Sequence, residues 1–456
     1  MRKKRLSILA LVLAAMFVFS ACGGTSPSGT STPTDSSKPD TGDPSVTKKD
    51  VVLWNRIFEE WNQEYFQRMG EEFNADPNNK TVNLIQEFVP GDAWDEKMKS
   101  AQAAGTAPDT YVQNYGNVIW GAAQGLLQPL DDYVPQDAWD DLMDNVKEFV
   151  SYKGKYYAYP QLVEPAIVLF YRADLFEQAG LDPNKPPKTW DELIEYAQKL
   201  AKYDANGNLV RAGISLRKSG GGSGVCEKWW FWLYPAGGSI ITEVSPGKYR
   251  NNYNNEAGRR ALQLYIDLLY KYKVDSHKVK ADSEGFALGA HAMFTRESWV
   301  VGFMKESAPN IRFNAAPLPR DKRAGTICTL VNLYVAKNSK NKDEAWKFIQ
   351  FMMKPEYQQF LLAKIGWFPC VNADYEPILQ EIPQYRAFME LPEGYTLYSY
   401  PSLACYDEIQ TKLAERLVKA FMDESLVDNP AGIAKVLAEA AAETDAILAE
   451  NGVLAK

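Results

Sequence analysis

From Val51 onward, apolar and polar positions alternate in patterns that divide the chain into strand-sized and helix-sized pieces. Ala166 to Tyr171 is a continuous apolar run of six residues rich in β-branched and aromatic types, short enough to predict a strand buried on both faces. Val51–Trp54, Thr81–Val89 and Thr110–Gln113 predict three further strands. After the first of these, Phe58, Trp61, Tyr65, Met69 and Phe73 recur at helical spacing, and Asp95–Ala103 predicts a second helix. Strand-helix-strand order of this kind predicts a mostly parallel sheet with helices on its faces.

Punctuation between the runs is equally readable. Lys153-Gly154-Lys155 is a polar turn feeding an aromatic-rich extended run that ends at Pro160. Arg172–Phe176 starts a short helix that Gly180 can stop, and Pro186 and Pro187 hold the chain extended until Thr189. Thr189 and Glu192 have the spacing of a capping box, ahead of a helix with Trp190, Leu193, Ile194 and Ala197 on one face. Gly220 to Gly224 could cradle a phosphate, but the run lacks the Lys-Ser/Thr ending of a P-loop and reads as a loop into the aromatic helix that follows. Lys342–Met352 and Pro355–Leu362 predict two more helices, and the carboxyl end is helical through Leu448.

The amino end is of another kind. Arg2, Lys3, Lys4 and Arg5 precede an unbroken apolar run from Ile8 to Phe19, and Leu6 to Ala21 is shorter than the roughly 20 residues of a membrane-spanning helix. Residues 1–21 therefore read as a secretory signal peptide ending at Cys22. Gly23 to Lys49 is rich in Ser, Thr, Pro, Gly and Asp, with too little apolar surface to fold, and reads as a tether.

At 456 residues the chain is too long for one core of usual size. A net charge of −8, more acidic still once residues 1–21 are removed, argues against nucleic acid as a partner. With only His277 and His291, and no Cys-x-x-Cys spacing, neither a zinc site nor a His-based triad has much to be built from, and no cofactor or metal is expected. Cys226, Cys328, Cys370 and Cys405 could pair in three ways; reduced, buried thiols are the favoured reading. Trp54 and Asn55 stand where the first strand ends, and in open α/β sheets ligands collect at the carboxyl ends of strands.

Several stretches, quoted as they stand, carry a family likeness. A-A-G-T-A-P-D (103–109), G-L-L-Q-P-L-D-D-Y (125–133), the crossover A-Y-P-Q-L-V-E (158–164), F-A-L-G-A-H-A-M-F (286–294), A-A-P-L-P (315–319) and V-A-K-N-S-K-N (335–341) resemble the family 1 extracellular solute-binding proteins, the sugar receptors of ABC importers. Phe19-Ser20-Ala21-Cys22 resembles the bacterial lipobox, with Phe19 in place of the usual Leu, which implies acylation of Cys22. The likeness implies an α/β, two-lobed periplasmic-binding-protein-like fold with a hinge and an interlobe cleft. Lobe 1 would comprise residues 50–160 with 316–353, and lobe 2 residues 161–315 with 354–456, behind the lipidated Cys22 and the tether of residues 22–49. A Gly pair frequent in the family near Thr329-Leu330 is absent, so the likeness lapses there and leaves the local backbone path open until the match resumes at Val335.

Ligand residues follow from the same resemblance. Glu164, an acid between Val163 and Pro165, falls where maltose-binding proteins carry a ligand-contacting Glu, and Trp299 falls on a stacking position. Gln113 and Asn117 replace an aromatic and a charged residue of maltose binders, which implies a ligand other than maltose in the same pose. Among Trp229, Trp230 and Trp232, periodicity commits at least one to the core; Trp230 is the one assigned to ligand. Tyr406 and Asp407 come from the segment that the family brings to the cleft. Flat aromatics suit the C–H faces of a sugar, and carboxylates and amides suit its rim of hydroxyls.

The expected function is a non-enzymatic, monomeric receptor anchored by lipid to the extracytoplasmic face of the cell membrane, delivering an oligosaccharide to an ABC permease. An extracellular glycoside hydrolase would share the aromatics but needs two carboxylates flanking a bond, and no recognisable pair stands out. A surface adhesin would show no cleft-sized ligand.

Overall fold

The computed structural model describes residues 48–456 apart from 58, 59, 92, 115–117, 124, 143, 165, 166, 221, 223, 402 and 404. The signal peptide, Cys22, the tether up to residue 47, and Asn117 lie outside the described residues, and at Glu164 only the backbone is described.

The first sheet has six strands in the order Phe368–Pro369, Tyr159–Glu164, Thr329–Val335, Thr110–Asn114, Lys49–Ile57, Val82–Pro90. Lys49–Ile57 pairs in parallel with both Val82–Pro90 and Thr110–Asn114, as the strand-helix-strand order dictates. The other three pairings are antiparallel, so the expectation of a mostly parallel sheet fails. The reason lies far along the chain: Thr329–Val335 returns from the second lobe and inserts, reversed, between Thr110–Asn114 and Tyr159–Glu164.

Val168–Arg172 is the centre of the second sheet, flanked antiparallel by Met293–Arg296 and Phe313–Ala316. All five of its residues are buried. Leu169 and Tyr171 enter one core, with Trp229, Tyr265 and the carboxyl-terminal helices; Val168 and Phe170 enter another, with Phe294, Leu362 and Phe388. Burying side chains of this size on both faces contributes about 1.5–3 kcal/mol each, which is why the sequence shows an unbroken apolar run here rather than alternation. A separate core under the first sheet unites Leu53, Phe66, Met69, Val112, Leu333 and Phe348. The chain is thus α/β and two-lobed, each sheet with its own interior.

Local chemistry explains the joints. At the hairpin tip Lys153 and Gly154 both have positive φ (50° and 76°), the twist that a two-residue hairpin turn requires. Thr189 caps the helix Trp190–Leu200 by accepting from Glu192 N at 3.2 Å. The Glu192 carboxylate reaches back one residue further than in the usual box, to Lys188 N at 2.6 Å.

Candidate functional site

Because Tyr159–Glu164 runs in the same direction as Thr110–Asn114 and Lys49–Ile57, the carboxyl ends of these strands share one end of the first sheet. Glu164 pairs with Thr329 there, Gln113 with Asn332, and Asn55 with Val112. This is the end from which the chain leaves for the second sheet and to which it returns. The crossings are tied by Thr326 Oγ1, donating to Ile167 O at 2.7 Å, and by Cys328 N, donating to Tyr398 O at 2.7 Å.

Within that end the sequence-derived residues differ in what they offer. Gln113 is buried. Asn55, also buried, spends its amide on Gln86 Oε1 at 2.8 Å, and Gln86 in turn donates to Phe66 O at 2.9 Å. Trp54 points to the face covered by the helix Trp94–Ala104, where the Lys97 ammonium stands 4.3 Å from its ring centroid. Period-2 alternation separates Trp54 from Asn55 onto opposite faces.

On the second lobe, Trp299 opens the helix Trp299–Ser307 just past the strand Met293–Arg296 and is 42% exposed. Its Nε1 donates to Glu297 Oε2 at 3.2 Å. Glu297 is also held by Lys228, from the helix Gly224–Leu233, and Lys228 donates to Glu227 at 2.7 Å. Burial pushes the Glu297 carboxyl up, but the charges of Lys228 and Arg296 and the Lys228 hydrogen bond outweigh it and bring it down to about 2. Ser298, between Glu297 and Trp299, donates its hydroxyl to Gly366 O, linking this turn to the end of the helix Pro355–Ile365.

Trp230 lies two residues beyond Lys228 and is buried in an aromatic wall, 4.9 Å from Tyr398, 5.6 Å from Tyr400 and 6.5 Å from Tyr406 between ring centroids. Tyr234 stacks on Tyr398 at 3.9 Å, with the Arg323 guanidinium 3.5 Å from the Tyr234 ring. Asp407 is exposed in the first turn of the helix Tyr406–Phe421. The structure therefore brings Trp230 and Tyr406 into one wall and joins Trp299 to the same helix through Glu297 and Lys228. Trp54 stands apart, under its own helix. Glu297, Lys228, Tyr398 and Tyr400 were missed; the aromatic spacing of Y-T-L-Y-S-Y-P (395–401) is the signal that could have found two of them.

The recess lined by Asp109, Tyr111, Lys337 and Asn341 lies at the other end of the first sheet. Its centre is an internal clamp: the Asp109 carboxylate accepts from Val52 N at 3.0 Å and from Ser339 Oγ at 2.6 Å. Among the described residues no group of three or more His, Cys, Asp or Glu is placed to hold a metal ion. Cys226, Cys328, Cys370 and Cys405 are buried thiols, and burial pushes Cys226 and Cys370 up, away from reactivity.

Residues 60–359 match the family described as bacterial extracellular solute-binding protein. A protein of Brucella abortus (strain 2308), named as a binding protein, is 25% identical over 390 residues, 84% of this chain and 90% of its own length. The maltotriose-binding protein of Pyrococcus abyssi is 25% identical over 335 residues, 71% of this chain and 66% of its own. The solved cyclic alpha-maltosyl-1,6-maltose binding protein from Arthrobacter globiformis shares the fold at a TM-score of 0.71 and 23% identity, over 87% of this chain and 99% of that one.

Proposed function

The chain belongs to the bacterial extracellular solute-binding proteins, and on that premise we propose that it is a receptor that closes two lobes over an oligosaccharide and presents it to an ABC permease. The family acts outside the cytoplasm, and the relatives described above are binding proteins rather than enzymes, so the hydrolase weighed from the sequence gains no support.

The observation that carries the sugar reading is Trp299: a large indole kept 42% exposed, with its nitrogen already committed to a carboxylate. Such a face stacks on the C–H side of a sugar ring without losing a hydrogen bond. Opposite it in this reading stand Glu164 and Gln113, at the carboxyl end of the first sheet, with Asn117 on the segment that follows. Trp230 and Tyr406 form the wall behind, with Asp407 beside them. Trp54 and Asn55 support the sheet end from within. In this reading lobe 1 is built on the first sheet, which takes Tyr159–Glu164 and Phe368–Pro369 as well as Thr329–Val335, and lobe 2 on the second sheet. Closure needs a ligand that favours the closed arrangement, and hydroxyls bridging the two sides supply that preference.

In the same reading Cys22 carries the lipid, and the tether behind it, ending before the strand Lys49–Ile57 rather than at residue 49, holds a monomeric body. No helix among the described residues is long and apolar enough to cross a membrane. Titration calorimetry of the purified protein with maltose, maltotriose and longer malto-oligosaccharides, followed by a neutral-glycan array, tests the proposal. Saturable binding without turnover is expected; hydrolysis of a bound glycan, or no binding across the array, overturns it.

A further inference from the structure

An exposed aromatic side chain is ordinarily free to move among several rotamers. Trp299 is held at two points: its Nε1 by Glu297 Oε2 at 3.2 Å, and its ring by Phe303, one helical turn on, edge to face at 6.4 Å and 80°. The other Glu297 oxygen belongs to Lys228, whose ammonium is shared with Glu227 at 2.7 Å. Lys228 is 8% exposed and Glu297 22%, so their attraction is weakly screened by solvent and salt. An ionised acceptor also makes a shorter, stronger hydrogen bond than a neutral one. Lys228 comes from the helix Gly224–Leu233, Glu297 from the turn before the helix Trp299–Ser307 and Trp299 from its first position, so the clamp ties the exposed indole to a buried helix.

We infer that Glu297 is a positioning residue: gripped by Lys228, it fixes the Trp299 indole so that the exposed face is preset as a stacking surface for a sugar ring. The inference rests on the receptor reading above. A preset ring loses little rotamer freedom when ligand arrives, and freeing it should lower affinity by about two- to tenfold.

The test has a readout without ligand and one with it. The full-length protein is labelled with 5-fluorotryptophan, and the Trp299 resonance is assigned by its loss in Trp299→Phe. The wild type should give one narrow line for this residue. Glu297→Leu should broaden, split or displace it, and Lys228→Met should do the same from the other side, while the isosteric Glu297→Gln, which keeps an acceptor, should largely restore it. Calorimetry with maltotriose as the probe should rank affinities as wild type, then Gln, then Leu. Thermal melts without ligand identify any variant that has not folded, and the isosteric Gln variant carries the comparison if Leu fails. An unchanged Trp299 line in a folded Glu297→Leu or Lys228→Met protein overturns the clamp. A mobile ring with unchanged maltotriose affinity overturns its role in binding. No heat with wild-type protein counts against the receptor reading for this sugar class, and the fluorine line then judges the clamp by itself.

Discussion

Lys218 and Asp275 form an ion pair at 2.7 Å with side chains 4% and 0% exposed. Asp275 also accepts from Leu216 N at 2.9 Å, and Lys218 donates to Leu216 O at 3.1 Å, so the segment ahead of the glycine run is stapled to the turn after Val274. Removing one partner strands a buried charge. Lys218→Met should cost about 3–5 kcal/mol in urea unfolding, while Lys218→Met combined with Asp275→Leu should recover much of it. A single variant as stable as wild type would remove the staple from the account.

His291 makes acid stability a local matter. It is fully buried against Phe286 and Phe294, with Nε2 3.1 Å from Asp282 O. Burial pushes its pKa down to about 4; the Asp282 carbonyl and Asp275 oppose this and Lys218 adds to it. The folded state therefore binds fewer protons than the unfolded one below the ordinary histidine range, so stability is whole above about pH 6.5 and is lost as pH falls toward 4, by up to roughly 3 kcal/mol. Melts between pH 7 and 5 should show this slope, and His291→Gln should flatten it. Parallel slopes in the two proteins would count against it.

Gly213 sits where no side chain fits: a Cβ would stand 1.9 Å from Ala197 O in the helix Trp190–Leu200. Gly213→Ala should destabilise by about 1–3 kcal/mol or more, because backbone and not a flexible side chain must yield. A melting point at the wild-type value would show that the helix moves freely.

Cys22→Ala should shift the protein from the membrane fraction to the soluble one, because Arg2–Cys22 reads as a signal ending in an acylated thiol. Full retention on membranes would reject lipid anchoring at this residue.

What the sequence made legible follows from the reach of each signal. The run Ala166–Tyr171 announced a doubly buried strand because Val168 and Phe170 need one core and Leu169 and Tyr171 another. Sheet direction was hidden, since the antiparallel partner of Thr110–Asn114 is Thr329–Val335 and no local pattern links them. Alternation put Trp54 and Asn55 on different faces but could not say which face the helix Trp94–Ala104 would cover. The Trp299 clamp escaped notice because Lys228 and Glu297 are 69 residues apart, and a Lys after a Glu on a helix reads as solvated charge until its burial is seen.

The insertion of Thr329–Val335 into the first sheet also dictates an order of events during synthesis. Thr110 Oγ1 donates to Tyr334 O at 2.7 Å across 224 residues of chain. Until that strand emerges, Thr110–Asn114 and Tyr159–Glu164 have no common neighbour, and each presents an open edge, the kind of surface on which strands of other molecules dock. Closing so long a loop costs about 8 RT in entropy, roughly 5 kcal/mol, which must be met before the pairing repays it, and such distant pairings make folding slow. A nascent chain halted within the second lobe is left with its first sheet in two pieces, so a fragment ending there should be recovered as aggregate and not as a folded half.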